Sequence, residues 1–520
     1  MPIVSKIYRL YSSKRLKLLD LNRKDPVSFQ RETFENIMKK GEETIFGVEH
    51  QIHEGMTLKE FQQNVPLRDY DKLESWITRA RSGEDNLLWP GRTKWFAKSS
   101  GTSGSKSKFI PVTEDSLSLC HYDGMQNMLS TYMANNPDSK LLEGMALTLG
   151  GSARIDEEGD GKTQYGDLSA ILLKNSPVLA EFRRTPPAEI ALISDFEKKV
   201  EEICKVASSQ NVTSLSGVPS WNLILLNAIL DYNGKKDLRE VWPNLELFMH
   251  GGISFDPYRK EYRRIIPHDN MNYMENYNAS EGYFAFQDNP SDSSMLVMTN
   301  GGIFYEFIPL ENYEDAVNGK FISFDTIESV RTGVNYAMVI TTNGGLWRYL
   351  IGDSVMFTSL YPHKITITGR TQLFINAFGE ELMISNAEKA LGEACEKCNC
   401  SVENYTVAPL FMEGGSKGSH QWLIEFKVAP LNIEIFADVL DSEVCKVNSD
   451  YEAKRANSVT MTRLSLVSLP EGTFYQWMRD KGKLGGQNKV PRLSNGRKFA
   501  DELIEYTKND SKHNRIKSKT

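Results

Sequence analysis

From about residue 92 to 370, strand-like runs ("MALTLGG", "MLVMTNGGIFYEFIPL", "AMVITTNGGLWRYLIGD", "KITITGR") alternate with helical ones ("DFEKKVEEICKVASS", "WNLILLNAILDY"). That alternation predicts an α/β protein with large sheets. Asn-Gly-Gly occurs at Asn300–Gly302 and again at Asn343–Gly345, each time between apolar runs. Both read as hairpins, so the sheet is expected to be mixed rather than purely parallel. Residues 1 to about 90 read as helical, and a smaller α/β segment begins past "TGRTQLFINAFGEEL". Its strands are "WLIEFKVAP" and "TRLSLVSLP", and its helix is "NAEKALGEACEKC". A chain of 520 residues is too long for one core. The expected organisation is a large N-terminal domain (1–372), a small mobile C-terminal domain (373–507) and a basic tail without structure (508–520).

Hydrophobic residues make up 40% and charged residues 25%, the texture of a globular chain. The net charge of -7 argues against a general nucleic-acid or anionic-membrane binder, though it leaves room for a local basic site. No apolar run reaches the roughly 18 residues that span a bilayer. The opening "MPIVSKIYRLYSSKRLKLL" is broken by Lys6, Arg9, Lys14, Arg15 and Lys17, so it reads as an amphipathic helix lying on the protein itself. Six cysteines make no disulfide scaffold, and Cys395, Cys398 and Cys400 lack a nearby fourth ligand. Reduced thiols in a cytoplasmic setting are expected. "DEEGDGKTQYGD" (156–167) has EF-hand spacing, but its flanks are not two long helices and its twelfth residue is Asp. It reads as a polar surface loop.

The stretch Ser99–Ser107 holds five serines, one threonine, two glycines and a lysine. Backbone amides that approach closely, hydroxyl donors and a cation suit a phosphate: Ser99, Ser100, Gly101, Thr102, Ser103, Gly104 and Lys106 supply them. Only two residues separate the glycines, and a strand-like "KFIPV" follows, so this is not a Walker loop. Pro111 turns Ile110 away from the helical region, and Thr113 is the next good N-cap. The reading is a strand–loop–strand hairpin. Composition alone fits a phosphate cradle and a flexible linker equally. The flanking strands favour the cradle.

Glu281, between Ser280 and Gly282, is either a Mg²⁺-holding carboxylate or a turn residue in solvent. Asp353, after Gly352 at an expected strand end, either grips ribose hydroxyls or belongs to an ordinary Gly-Asp turn. Tyr122, Met125 and Leu129 on one helix, with Val218, line an acyl pocket or pack the core.

In order, "SSGTSGSKSKFIPVT", "YNASEGYF", "GIFYEFIP", "LWRYLIGD" and "GGQNKVPR" resemble the adenylate-forming superfamily that includes acyl-CoA synthetases and firefly luciferase. Within it they look closest to the Gretchen Hagen-type acyl acid amido synthetases. The resemblance runs from the first helix to about residue 499. It implies that Ser99, Ser100, Gly101, Thr102 and Ser103 hold ATP phosphates, that Glu281 binds Mg²⁺, and that Tyr277 and Ser280 lie along the nucleotide. It further implies that Asp353 binds the ribose, with Arg370 near it. Lys489 matches the lysine brought to the carboxylate and α-phosphate, with Lys481 and Lys483 as alternatives. "YLIGDSV" departs from the commoner family pattern by lacking an arginine after Tyr349, which weakens any transfer of acceptor preference.

The implied activity is ATP- and Mg²⁺-dependent adenylation of a small carboxylic acid, then acyl transfer to an amine such as an amino acid. A thioester-forming ligase of the same superfamily and a non-catalytic nucleotide-binding protein are the alternatives. Small molecules are the expected partners, with no nucleic acid and no membrane.

Overall fold

The computed structural model describes residues 3–517 apart from 100–107, 156–160, 253–254, 321–322, 372–374, 376, 378–379, 381, 411–417, 449–450, 453–454, 456–460, 483–489 and 495. The chain divides into two compact units. The first takes the described residues of Met1–Ile253 and Ile265–Ile367. The second takes those of Ser254–Arg264, Thr368–Leu484 and Asn488–Thr520.

Five helices open the first unit: α1 (Ile3–Lys24), α2 (Pro26–Gly41), α3 (Ile45–Glu49), α4 (Leu58–Asn64) and α5 (Tyr70–Arg81). Local chemistry sets their starts. Asp25 caps α2 with proline in the first turn, and Thr57 and Glu60 close a reciprocal capping box on α4.

Strands β1 (Trp95–Ser99), β2 (Lys108–Val112), β3 (Met145–Thr148), β4 (Ala153–Ile155) and β5 (Gln164–Gly166) come next. Then follow β6 (Arg184–Thr185), β7 (Val212–Gly217), β8 (Leu247–Gly251), β9 (Asn272–Ala279) and β10 (Gly282–Phe286). The series continues with β11 (Met295–Val297), β12 (Ile303–Pro309), β13 (Asn335–Thr342), β14 (Tyr349–Leu360) and β15 (His363–Arg370). A four-stranded sheet has the order β2-β1-β5-β4, and an eleven-stranded sheet the order β12-β13-β14-β15-β11-β10-β9-β8-β7-β3-β6. Strands β6, β3, β7, β8 and β9 are mutually parallel, whereas β10 runs antiparallel to β9 and to β11. The sheet is therefore mixed, as the turn signals require.

The second Asn-Gly-Gly joins β13 to β14, which pair antiparallel. The first does not make a hairpin, because β11 pairs with β10 and β15 while β12 pairs with β13. Instead the two turns meet. The Asn343 amide donates to the Gly302 carbonyl at 2.9 Å. Gly302 has φ +71°, and a Cβ there would stand 2.1 Å from Asn343 Nδ2, so glycine serves contact rather than chain reversal.

The core of this unit centres on large aromatics. Trp347 is fully buried, stacks on Phe46 at 5.3 Å and donates its indole N–H to the Leu88 carbonyl at 2.9 Å. Burying such a side chain is worth about 1.5–3 kcal/mol.

The second unit has its own core and a sheet of β16 (Ser401–Leu410), β17 (Ser419–Val428) and β18 (Ser465–Leu469), in that order. Helices Ile384–Lys397 and Ile433–Val447 cover it with Leu391, Phe436 and Leu440. Residues 254–264, counted with the large domain in the sequence reading, belong here, and Phe255, Tyr258 and Tyr262 are buried. The last helix runs Lys498–Lys517, so most of the tail expected to lack structure continues a helix that begins before it. No helix among the described residues is long and apolar enough to cross a membrane.

Candidate active site

Strands β1 and β2 pair antiparallel with Ser99 opposite Lys108, so the glycine-serine stretch joins two paired strands. Ser100, Gly101, Thr102 and Ser103 lie outside the described residues, as does the Ser99 side chain. Past β2, Thr113 Oγ1 accepts from the Ser116 amide at 3.0 Å and starts the next helix as an N-cap. That helix opens as a π-helical turn, Ser116–Tyr122, and continues as α6 (Asp123–Asn135). Such turns recur at functional sites.

Two residues, Ser280 and Glu281, form the whole turn between β9 and β10, with Ala279 paired to Gly282. Ser280 is buried and Glu281 half-buried. The turn lies at the C-terminal end of the parallel set, beside the ends of β8, β7 and β3, where open α/β sheets take ligands. Tyr277 on β9 is buried, and its hydroxyl donates to Asp353 Oδ2 at 2.5 Å.

Asp353 is not at a strand end, as the sequence suggested. It sits within β14 at a bulge: Ala337 pairs with Ser354, but Val339 pairs with Leu350. Gly352 supplies the bulge with φ +85°, and the extra residues re-aim the carboxylate.

The proposed acyl-pocket residues are less uniform. Tyr122 is half-buried and its hydroxyl donates to the Leu172 carbonyl at 2.8 Å. Leu129 packs on the core, whereas Met125 is 37% exposed. Val218 is half-buried after β7, where the Asn222 amide donates to its carbonyl at 3.2 Å.

Sequence reasoning missed His121. Its ring is buried on the π-turn, with Nδ1 3.0 Å from Oδ1 of Asn278, the neighbour of Tyr277. Burial pushes this imidazole down to about 4, so it is neutral. Burial likewise pushes the Cys120 thiol up to about 12. A lone histidine in "SLCHYDG" carries no spacing signal. Also missed was the buried pair Arg348–Glu306, bidentate at 2.9 Å on both oxygens, with Arg348 Nη1 donating to the Gln62 and Val65 carbonyls. The signal was available: an arginine inside the apolar "GGLWRYLIG".

No group of three or more His, Cys, Asp or Glu among the described residues could hold a metal by itself. A half-buried carboxylate beside a hydroxyl, Glu281 with Ser280, fits Mg²⁺ that takes its remaining ligands from phosphates and water. The EF-hand-like stretch is not such a site in its described part, because Asp167 Oδ2 accepts from the Ser152 amide at 2.7 Å. All six cysteines are free.

In the second unit, Lys489, Lys483 and the Arg370 side chain lie outside the described residues. Lys481 is committed elsewhere, paired with Glu502 and 4.9 Å above the Trp477 ring. Three residues after Lys489, Arg492 donates to the Tyr258 hydroxyl at 2.6 Å and to Asn404 Oδ1 at 3.1 Å. The Val407 amide donates to the Arg492 carbonyl, which straps this segment along β16.

Three domain descriptions match the chain consecutively: the GH3 family N-terminal domain over residues 15–271, the central domain over 296–370 and the C-terminal domain over 385–498. The chain belongs to the GH3 family. Among relatives of GH3 membership, the indole-3-acetic acid-amido synthetase GH3.4 of Arabidopsis thaliana is 23% identical, over 92% of this chain and 91% of its own. The 4-substituted benzoates-glutamate ligase GH3.12 of the same plant is 24% identical, covering 83% and 87%. Among solved structures, GH3.15 acyl acid amido synthetase superposes with a TM-score of 0.77 at 17% identity, covering 96% of both chains. A 2-hydroxyisobutyryl-CoA ligase in its postadenylation state gives 0.57 at 12% identity, covering 96% and 93%. The GH3 fold here is thus that of the adenylate-forming ligases.

Proposed function

We propose that this GH3 protein is an ATP-dependent acyl acid amido synthetase, a ligase that releases AMP. The observation that carries the reading is the Tyr277–Asp353 hydrogen bond, which joins two residues of separate nucleotide motifs. The relatives' names carry small carboxylic acids or their acyl groups: indole-3-acetic acid-amido synthetase, jasmonoyl-L-amino acid synthetase and 4-substituted benzoates-glutamate ligase. One GH3.15 structure holds 2,4-DB.

In the first half-reaction the substrate carboxylate attacks the α-phosphorus of ATP and pyrophosphate leaves. The donors of Ser99–Ser103 hold phosphate oxygens, Lys489 offsets charge at the reacting phosphate, and Asp353, oriented by Tyr277, accepts from the ribose. The family resemblance assigns Arg370 to the same sugar. Mg²⁺ on Glu281 would neutralise phosphate charge. In the second half an amine attacks the acyl carbon and AMP leaves. No protein nucleophile is needed, so the catalysis is positioning and electrostatics. The acyl group would lie among Tyr122, Met125, Leu129 and Val218. The free cysteines suit a cytoplasmic setting.

The likeness to a CoA ligase favours one rival, transfer to a thiol instead of an amine. ATP–pyrophosphate exchange against a panel of aryl, indole-type, fatty and keto acids tests the first half. Acid-dependent exchange is expected. Amino acids and coenzyme A, offered separately with the active acid, then decide the acceptor. A chain that binds ATP by calorimetry yet never forms a hydroxylamine-trappable acyl group would be a nucleotide-binding protein and not a ligase.

A further inference from the structure

Helix α1 has two apolar faces, and among the described residues only one is covered by the fold. On the inner face Tyr8 Oη lies 3.1 Å from Ser130 Oγ, Asn22 Nδ2 donates to Asn300 Oδ1 at 3.1 Å, and Leu19 is buried. Two arginines pin the helix to α6 and the turn after it. Arg15 donates to Asp123 at 2.7 Å and to Asn127 at 2.8 Å, and Arg9 donates to the Asn136 carbonyl at 3.0 Å.

The outer face carries Ile7, Leu10, Tyr11, Leu18 and Leu21, which are 61, 77, 66, 41 and 56% exposed. At about 100° per residue these five and Lys14 fall within one arc of roughly 100°, along a stripe about 21 Å long. Large exposed hydrophobics gathered on one helix face mark an interaction surface. Lys14 lies within the stripe and Lys17 and Lys24 beside it; all three are exposed, with no partner among the described residues. The one carboxylate on α1, Asp20, is paired with Arg23 at 2.7 Å. The outer face is therefore cationic on a chain of net charge -7.

Charge selects the occupant. A second copy, packed stripe to stripe about a two-fold axis, would centre on the midpoint of residues 7–21 and set Lys14 against its own image. An anionic lipid surface instead satisfies both halves of the pattern. We propose that the outer face of α1 docks on such a surface, with Ile7, Leu10, Tyr11, Leu18 and Leu21 at the acyl boundary and Lys14, Lys17 and Lys24 on headgroup phosphates. The helix lies in the interface and stays fastened to the protein by Arg9 and Arg15.

Sedimentation of the full chain with phosphatidylcholine vesicles, with and without about 30 mol% phosphatidylserine, tests this. Binding only to the phosphatidylserine vesicles, weakened by salt, is expected. Leu10→Glu/Leu18→Glu should lower partitioning by at least about tenfold, and Lys14→Glu/Lys17→Glu should lower it similarly, with thermal midpoints unchanged because the four side chains are exposed. No binding to anionic vesicles overturns the proposal, as does binding by both variants that matches the parent's. A dimer seen by light scattering that Leu10→Glu/Leu18→Glu splits, without vesicle binding, would assign the face to a second copy instead.

Discussion

The Tyr277 hydroxyl donates to Asp353 Oδ2 at 2.5 Å, although β9 and β14 are four positions apart in the sheet order. At about 4.8 Å per strand, a flat sheet would hold them roughly 19 Å apart. The antiparallel half must therefore curl until its members face each other across the enclosed aromatics, among them Phe284 at 4.7 Å from the Tyr277 ring. The bulge at Gly352 then turns Asp353 onto the tyrosine.

Tyr277→Phe removes a hydrogen bond to a buried carboxylate, an interaction worth about 1.5–3 kcal/mol. Urea unfolding should register that loss. If Asp353 holds the ribose, ATP affinity by calorimetry should also fall roughly tenfold, about 1.4 kcal/mol. Unchanged ATP affinity alongside lower stability would make the pair structural.

This contact shows how far the sequence could be read. The motifs around Tyr277 and Asp353 were visible as segments, and their order identified the family. Their meeting was not visible, because it depends on sheet curl and a bulge, and neither leaves a periodic pattern. Asn300–Gly302 is the complementary case. Asn-Gly-Gly between apolar runs is a good hairpin signal, but strand pairing is decided by distant partners, and β15 took the place beside β11. Tyr258 was equally hidden: a short helix between two strands of the large unit gives no local sign that it belongs to the other unit.

Arg348 and Glu306 are both buried, so breaking the pair should be far more harmful than replacing it. Glu306→Gln leaves a guanidinium without its counter-charge and should cost about 3–5 kcal/mol by urea unfolding. The double replacement Arg348→Met/Glu306→Leu should recover much of that loss, less what the Gln62 and Val65 carbonyls lose as acceptors. If the double variant is as unstable as the two single losses added together, the pair contributes no coupling and the account is wrong.

His121 gives a pH prediction of definite sign. Its folded value near 4 lies below the ordinary 6.5, so the unfolded chain takes up the proton first as pH falls. Its contribution leaves stability untouched above about pH 6.5 and lowers it progressively toward pH 4, by about 3 kcal/mol at most. His121→Gln can keep a contact to Asn278 without titrating. Its unfolding free energy should therefore fall less steeply than the parent's between pH 6.5 and 4. Parallel slopes for the two proteins would show that His121 is not the group that titrates.

The Arg492 guanidinium stands 4.7 Å over the Tyr405 ring as well as on the Tyr258 hydroxyl, so one side chain ties three parts of the second unit together. Tyr258→Phe keeps the ring's packing and removes only the acceptor, which should cost about 1.5–3 kcal/mol in that unit's unfolding. Lys489 is three residues earlier in the chain. If it serves adenylation, Tyr258→Phe should lower kcat for pyrophosphate exchange while leaving ATP affinity unchanged, a weaker copy of Lys489→Ala. Exchange that survives Lys489→Ala at the parent rate would remove that lysine from the mechanism and leave Arg492 with a purely structural role.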